Sequence, residues 1–228
     1  MISVILPAYN EEKNIGPTID EISNFLNEIK KPFEIIVVND GSIDGTAKIL
    51  ADYSGKNNII VVTHPKNLGY GTALRSGFAK VNGDLVFFTD SDRQFDIHDL
   101  KVFLEKIENY DFIVGYREGR KDPLWRIFYA SIFRFLSHLL FGVNVKDVDC
   151  AFKLFKTHII KSLPLFSSGA LINLEIFAQA KENNYKFIEL PVKHFPRQYG
   201  KQTGGNPKVL LKALFNIFLL WLKIYKFK

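Results

Sequence analysis

The chain has 228 residues, 47% of them hydrophobic and 24% charged, with a formal charge of +6 and a single cysteine. That length and apolar content suffice for one substantial core, and the lone Cys150 excludes an intramolecular disulfide framework or a cysteine-rich zinc site. The charge is unevenly placed: beyond Glu189 no acidic residue occurs, while Lys193, Arg197, Lys201, Lys208, Lys212, Lys223, Lys226 and Lys228 follow, which points to an anionic partner such as phosphate groups, a membrane surface or nucleic acid.

The chain opens directly on a β-rich run, Ile2–Leu6, with no charged leader, so no secretory signal is expected. After the loop Pro7-Ala8-Tyr9-Asn10-Glu11-Glu12, the spacing of Ile15, Ile19, Ile22, Phe25, Leu26 and Ile29 predicts a helix. A second strand, Phe33–Val38, ends in Asn39-Asp40-Gly41-Ser42, and a short helix is expected over Ala47–Tyr53. Strand Asn58–Thr63, helix Gly71–Val81, strand Leu85–Thr89, a helix near Leu100–Glu108 and strand Phe112–Gly115 complete the alternation. Near-continuous apolar strands between amphipathic helices predict an α/β fold with a mostly parallel sheet covered on both faces. Ligands of such sheets bind beyond the carboxyl ends of the strands.

The densest chemistry lies at one of those ends, Asp90-Ser91-Asp92. Two carboxylates this close raise one another's pKa unless a cation neutralises them, and Mg²⁺ or Mn²⁺ shared with substrate phosphates is the expected partner. In an extended backbone Asp92 and Gln94 face the same side, so Asp90, Asp92 and Gln94 form the candidate metal set. The five histidines, His64, His98, His138, His158 and His194, lack ligand spacing and are expected to be exposed or capping. Pro7 and Tyr9 offer an apolar edge and a ring to a nucleobase, Glu11 can accept from ribose hydroxyls, and Asp40 from the N–H edge of a base. Asp44 and Thr46 are expected to serve structure. Lys66 and Arg75 stand near enough for phosphate, with a solvated helix face as the competing expectation for Arg75. Glu175, in the helix-like run Leu171–Ala180, is expected to be structural.

The motifs Val4–Glu12, Val38–Thr46, Asn67-Leu68-Gly69-Tyr70-Gly71, Asp90-Ser91-Asp92-Arg93-Gln94 and Asp149-Cys150-Ala151-Phe152-Lys153, in that order, resemble family 2 glycosyltransferases of the GT-A fold over roughly residues 2–200. Within that family the chain looks most like the dolichol-phosphate mannose synthase and polyprenyl-phosphate glycosyltransferase branch. Arg93 stands where the family pattern has an apolar residue. The resemblance implies a metal-dependent, inverting transfer of a sugar from GDP-mannose or a UDP-sugar to a polyprenyl or dolichyl phosphate. It also implies catalytic roles for Asp92, Asp149 and Arg117, and donor binding by Pro7, Tyr9, Glu11, Asp40, Asp90, Arg197 and Lys201. Arg197-Gln198-Tyr199-Gly200 resembles a family Arg-x-x-Gly loop, with Lys201 supplying charge where the usual Ser-Lys is absent. The alternatives are a hydroxyl acceptor with Asp149 as general base, or an inactive nucleotide-binding scaffold.

Residues 1–205 are expected to form the transferase domain, with the donor half at 1–115 and the acceptor half at 116–205, followed by an amphipathic membrane-associating helix at 206–228. Over Val209–Tyr225 the residues Lys212, Asn216, Lys223 and Lys226 share one stripe of an otherwise apolar helix, and Arg126, Arg134 and His138 do so within Leu124–Val143. Such helices suit a lipid interface. Neither has 18 consecutive uncharged residues, so spanning is not expected. A peripheral protein at the cytoplasmic face follows, with a homo-oligomer or membrane-protein partner as a further option. Nucleic acid is disfavoured, because the tail carries aliphatic, interfacial side chains in place of stacking platforms.

Overall fold

The computed structural model describes residues 1–56, 58–118, 124–199 and 207–226, with the side chains of 124–130 and 207–214 excepted. The strands are β1 (Ile2–Ala8), β2 (Phe33–Asn39), β3 (Ile59–Thr63), β4 (Leu85–Thr89), β5 (Phe112–Arg117), β6 (Phe152–Lys156) and β7 (Phe187–Val192). The helices are α1 (Ile15–Glu28), α2 (Thr46–Tyr53), α3 (Tyr70–Phe78), α4 (Leu100–Lys106), α5 (Leu124–Phe141), α6 (Thr157–Ser162), α7 (Ile172–Glu182) and α8 (Pro207–Tyr225). Expected and observed elements agree to within a few residues up to β5, because period-2 and period-3.6 apolar patterns are local properties of the chain.

All seven strands form one sheet in the order β3-β2-β1-β4-β6-β5-β7. Alternation along β1 divides the core: Val4 and Leu6 join α1, α4 and Phe87 on one face, while Ile5 joins α3, α7 and Phe88 on the other. Buried phenylalanines fill both layers, with Phe87 against Phe152 on one side and Phe88, Phe155 and Phe112 stacked in series on the other. Each contributes ~1.5–3 kcal/mol by leaving water.

The sheet is mostly parallel, as expected, apart from β6. That strand runs antiparallel between β4 and β5, with Thr89 opposite Phe152 and Val114 opposite Lys153. The reversal carries the start of β6, and the turn before it, to the edge where β4 ends. β7 runs parallel to β5, with Arg117 opposite Val192, so residues 193–199 emerge at that edge too.

The C-terminal helix requires a correction. It is not an interfacial element whose whole apolar surface is left over: Ile217, Leu220 and Ile224 are buried in the main core, and α8 packs on α5. What stays exposed is a narrower strip, Phe215, Phe218 and Leu219 on α8, with Phe135 and Leu139 on α5. Lys223, Lys226, Arg134 and His138 are exposed nearby in sequence, while the side chains of Lys212 and Arg126 lie outside the described set. Among the described residues, no helix is long and apolar enough to cross a membrane.

Candidate active site

The carboxyl edge of the sheet gathers seven segments: the ends of β1, β2, β3, β4, β5 and β7, and the beginning of β6. The loops after β1 and β2 are laced together by side chains accepting from backbone N–H groups. Glu11 N donates to Thr46 Oγ1 (2.8 Å), Asn10 N to Ser42 Oγ (3.0 Å), Glu12 N to Asp44 Oδ2 (3.2 Å) and Gly45 N to Glu12 Oε2 (2.9 Å). Asp44 and Thr46 therefore serve structure, as expected.

Asp40 is 3% exposed, and both its oxygens are engaged by the protein. Oδ1 accepts from Leu68 N (2.9 Å) and pairs with His64 Nδ1 (2.7 Å), and Oδ2 accepts from Gly69 N (2.8 Å). In this structure Asp40 ties the 67–71 segment to β2. His64 corrects an expectation: it is buried and bridges Asp40 to Ser76 Oγ (2.9 Å). The 67–71 segment in turn grips the backbone of residues 167–169. Gly71 N donates to Ser168 O (2.8 Å), and a Cβ on Gly71 would lie 2.4 Å from Ser167 O, an approach only glycine permits. Arg75 donates to Leu165 O (3.4 Å), and Glu175 accepts from Phe166 N and Ser167 N (both 2.9 Å), so each braces that loop.

The metal set is narrower than the sequence suggested. Arg93 adopts φ +60, so the backbone from Asp92 to Gln94 is not extended. Gln94 instead braces the 195 segment, its Nε2 donating to Phe195 O (2.9 Å) while Phe195 N donates to Gln94 O (2.7 Å). Two carboxylates remain. Ser91, between them, is anchored to Pro7 O (2.8 Å) and its carbonyl accepts from Thr18 (3.1 Å), which fixes the turn. Burial and the neighbouring Asp92 charge push Asp90 up to about 7, against Tyr70, Arg117 and Lys153. Burial also raises Asp92, against Arg197. Arg197 against Asp92, and Arg117 and Lys153 acting on Asp90, offset part of this negative charge, and two adjacent carboxylates fit a divalent cation. Among the described residues no cluster of three or more His, Cys, Asp or Glu side chains could hold a metal.

Arg197 is the nearest protein cation. Its NH1 donates to Asp92 Oδ2 (3.2 Å), its NH2 to Glu11 Oε1, and its Nε to Tyr199 O (2.5 Å). Two residues expected to bind the donor, Arg197 and Glu11, thus converge with Asp92, expected to hold the metal, from segments far apart in the chain. Tyr9 is exposed at the rim, and Lys201 lies outside the described residues. Arg117 makes a bidentate pair with Asp147 (Nε–Oδ2 2.6 Å, NH2–Oδ1 2.8 Å), a partner not anticipated. Asp149 is exposed, not buried, and lies within electrostatic reach of Arg117, Tyr70 and Lys153. Lys153 was also missed: it is 0% exposed, and burial pushes its ammonium down to about 8 despite four neighbouring acidic groups. A lysine within an apolar strand, Phe152-Lys153-Leu154-Phe155, is the signal that marked it.

Comparison with known proteins bears on the family and the fold. The family model "Glycosyl transferase family 2" matches residues 3–163. A dolichyl-phosphate beta-glucosyltransferase of Trichomonas vaginalis is 33% identical, over 91% of this chain and 68% of its own length. An undecaprenyl-phosphate 4-deoxy-4-formamido-L-arabinose transferase of Edwardsiella ictaluri is 26% identical, over 92% of this chain and 64% of its own. The chain thus spans about two thirds of the length of these relatives. Among solved structures, glucosyl-3-phosphoglycerate synthase of Mycobacterium tuberculosis, in complex with Mn²⁺, uridine diphosphate and phosphoglyceric acid, superposes with a TM-score of 0.73 at 22% identity, covering 98% of this chain and 78% of that one. Fold, site and sequence together make this chain a member of glycosyltransferase family 2.

Proposed function

We propose that this chain transfers a sugar from a nucleoside-diphosphate donor, a UDP-sugar or GDP-mannose, to a polyprenyl or dolichyl phosphate. The observation that carries the proposal is the Asp90/Asp92 pair at the end of β4, half-buried and buried respectively, flanked by Glu11 and Arg197 on one side and by Arg117 on the other. The two named relatives act on lipid phosphates, and the structural neighbour was solved with a metal and a uridine nucleotide. Asp90 and Asp92 would hold Mg²⁺ or Mn²⁺, and the ion would neutralise the charge that develops on the departing diphosphate.

The chain's own groups would divide the rest of the work. Tyr9 offers a face to the base, whereas Pro7 is buried within β1 and serves the strand; Glu11 accepts from ribose hydroxyls, and Arg197 exchanges its internal carboxylate partners for phosphate oxygens. Arg117 keeps N–H groups beyond the two given to Asp147 and presents them to the acceptor phosphate. That phosphate is ionised at neutral pH, so its oxygen attacks the anomeric carbon without a strong base, from the face opposite the leaving group. The exposed strip on α5 and α8, edged by lysines, would rest on the cytoplasmic membrane surface where such an acceptor resides. Residues 1–205 would carry donor and acceptor halves, with α8 serving both core and membrane.

The test is transfer of labelled sugar from a panel of donors to a short polyprenyl phosphate, with the matching polyprenol as the hydroxyl control. Asp92→Asn should abolish transfer while the protein stays folded. Full transfer in excess chelator would remove the metal from the proposal, and transfer to the alcohol in preference to the phosphate would replace the acceptor and make Asp149 the base. The exposure of Asp149 favours that second reading over the inactive scaffold.

A further inference from the structure

Lys153 is a buried cation that the reaction above does not use. It sits in β6 opposite Phe88, with its ammonium 5.3 Å from the Phe88 ring and 5.6 Å from that of Phe177. Burying an ammonium is costly unless it is fully hydrogen-bonded, and an apolar side chain would fill this place without that cost. An ammonium has three N–H donors and no acceptor. Three acceptors surround it: Val148 O (3.2 Å), Cys150 O and Asn173 Oδ1 (2.8 Å). No N–H is left for Asp90, so Lys153 reaches that carboxylate only through space.

Two of those acceptors are the carbonyls on either side of Asp149. Within that turn Cys150 N donates to Asp147 O (3.4 Å), while the Asp147 side chain holds Arg117. The third acceptor, Asn173, comes from the first turn of α7 and is itself buried. One ammonium therefore joins the turn that carries Asp149 to a helix packed in the core.

We infer that Lys153, with Asn173, is a positioning residue for the acceptor side of the site: by clamping the carbonyls of residues 148 and 150 it sets where the exposed Asp149 carboxylate stands beside Arg117. The inference rests on the proposed transfer reaction, which assigns that side of the site to the acceptor. Its hydrogen bonds keep Lys153 apart from the metal-side carboxylates, which it meets only as a charge acting on Asp90 through space.

The experiment uses the full chain and two readouts. Hydrogen exchange over residues 144–152, measured without substrates, should rise at least tenfold in Lys153→Met, while exchange in β1 and β2 stays as in the wild type. In the transfer assay, Lys153→Met should lower kcat/KM for the polyprenyl phosphate about as much as Asp149→Ala does, with the donor KM changed less than twofold. The double variant should be no worse than Asp149→Ala alone, because both act on one carboxylate. Losses that multiply, a donor KM that rises with the acceptor effect, or an Asp149→Ala variant unaffected while Lys153→Met is impaired would each overturn the inference. If Lys153→Met does not fold, Asn173→Ala removes one of the three acceptors and must show the same pattern at smaller size; unchanged exchange in that variant overturns the inference. A wild-type chain that transfers nothing to any acceptor counts against the proposed reaction, and the exchange result then judges the clamp alone.

Discussion

Replacing Asp147 by asparagine tests how the acceptor side is built. Asp147 and Arg117 meet in two parallel hydrogen bonds of 2.6 and 2.8 Å, and their side chains are only 11% and 15% exposed. The backbone N–H of Arg117 also donates to Asp147 (3.3 Å). Asparagine keeps the shape but removes the charge and turns one acceptor into a donor facing the guanidinium. Breaking a buried pair in this way costs ~3–5 kcal/mol, because the remaining charge is left uncompensated. Asp149 lies close enough to supply part of the missing negative charge, which places the expected loss at the lower end, ~3 kcal/mol. With an unfolding entropy of ~2 cal/mol/K per residue over 228 residues, that loss lowers Tm by ~6 °C. Urea unfolding should show a lower midpoint at an unchanged m-value, and added salt should change the difference little, since the pair is shielded from bulk ions. Replacing both partners by apolar residues, Arg117→Met with Asp147→Leu, should recover much of the stability but none of the acceptor binding. An Asp147→Asn protein within about 0.5 kcal/mol of wild type would refute the reasoning, since surface substitutions fall in that range.

Four further outcomes are expected. Gly71→Ala places a methyl group 2.4 Å from Ser167 O and 2.8 Å from Gly169 O; overpacking against backbone should cost ~1–3 kcal/mol in urea unfolding and loosen the 167–169 loop, and a neutral substitution would show that the contact is slack. Glu34 is pushed up by burial, but hydrogen bonds from Ser3 and Asn82 outweigh this and leave it below its ordinary value of 4.5. Its stabilising effect is therefore present above the ordinary glutamate range and lost as pH falls through the lowered value, so Glu34→Gln should be less stable at pH 7 and show a flatter acid limb; parallel stability curves from pH 3 to 7 would contradict this. Phe215→Ser with Phe218→Ser, both on the exposed strip of α8, should lower binding to anionic vesicles with little change in Tm. Cutting the chain before α8 should instead destabilise the fold, because Ile217, Leu220 and Ile224 leave the core with it.

The sequence by itself determined the elements and much of the donor side. The near-continuous apolar run Ile2–Leu6 and the helical spacing from Ile15 to Ile29 are local properties of the chain, so β1 and α1 were legible without any partner. The loops that end β1, β2 and β4 were legible for the same reason, each following directly on a strand. Tertiary structure decided what those loops' side chains face. Nothing in the neighbourhood of Asp40 along the chain shows that the backbone of Leu68 and Gly69 turns toward it. Gln94 left the metal set because Arg93 takes a left-handed backbone that no extended pattern anticipates. The reversal of β6 is a matter of strand pairing across the sheet, with Lys153 opposite Phe88 some 65 residues away, and it alone brings Asp149 to the edge where Asp90 lies. The pairing of Arg117 with Asp147 and the clamp at Lys153 follow from that reversal. Hydrogen bonds and charges act over a few ångströms of space whatever the distance along the chain, so only the folded chain could assign their partners.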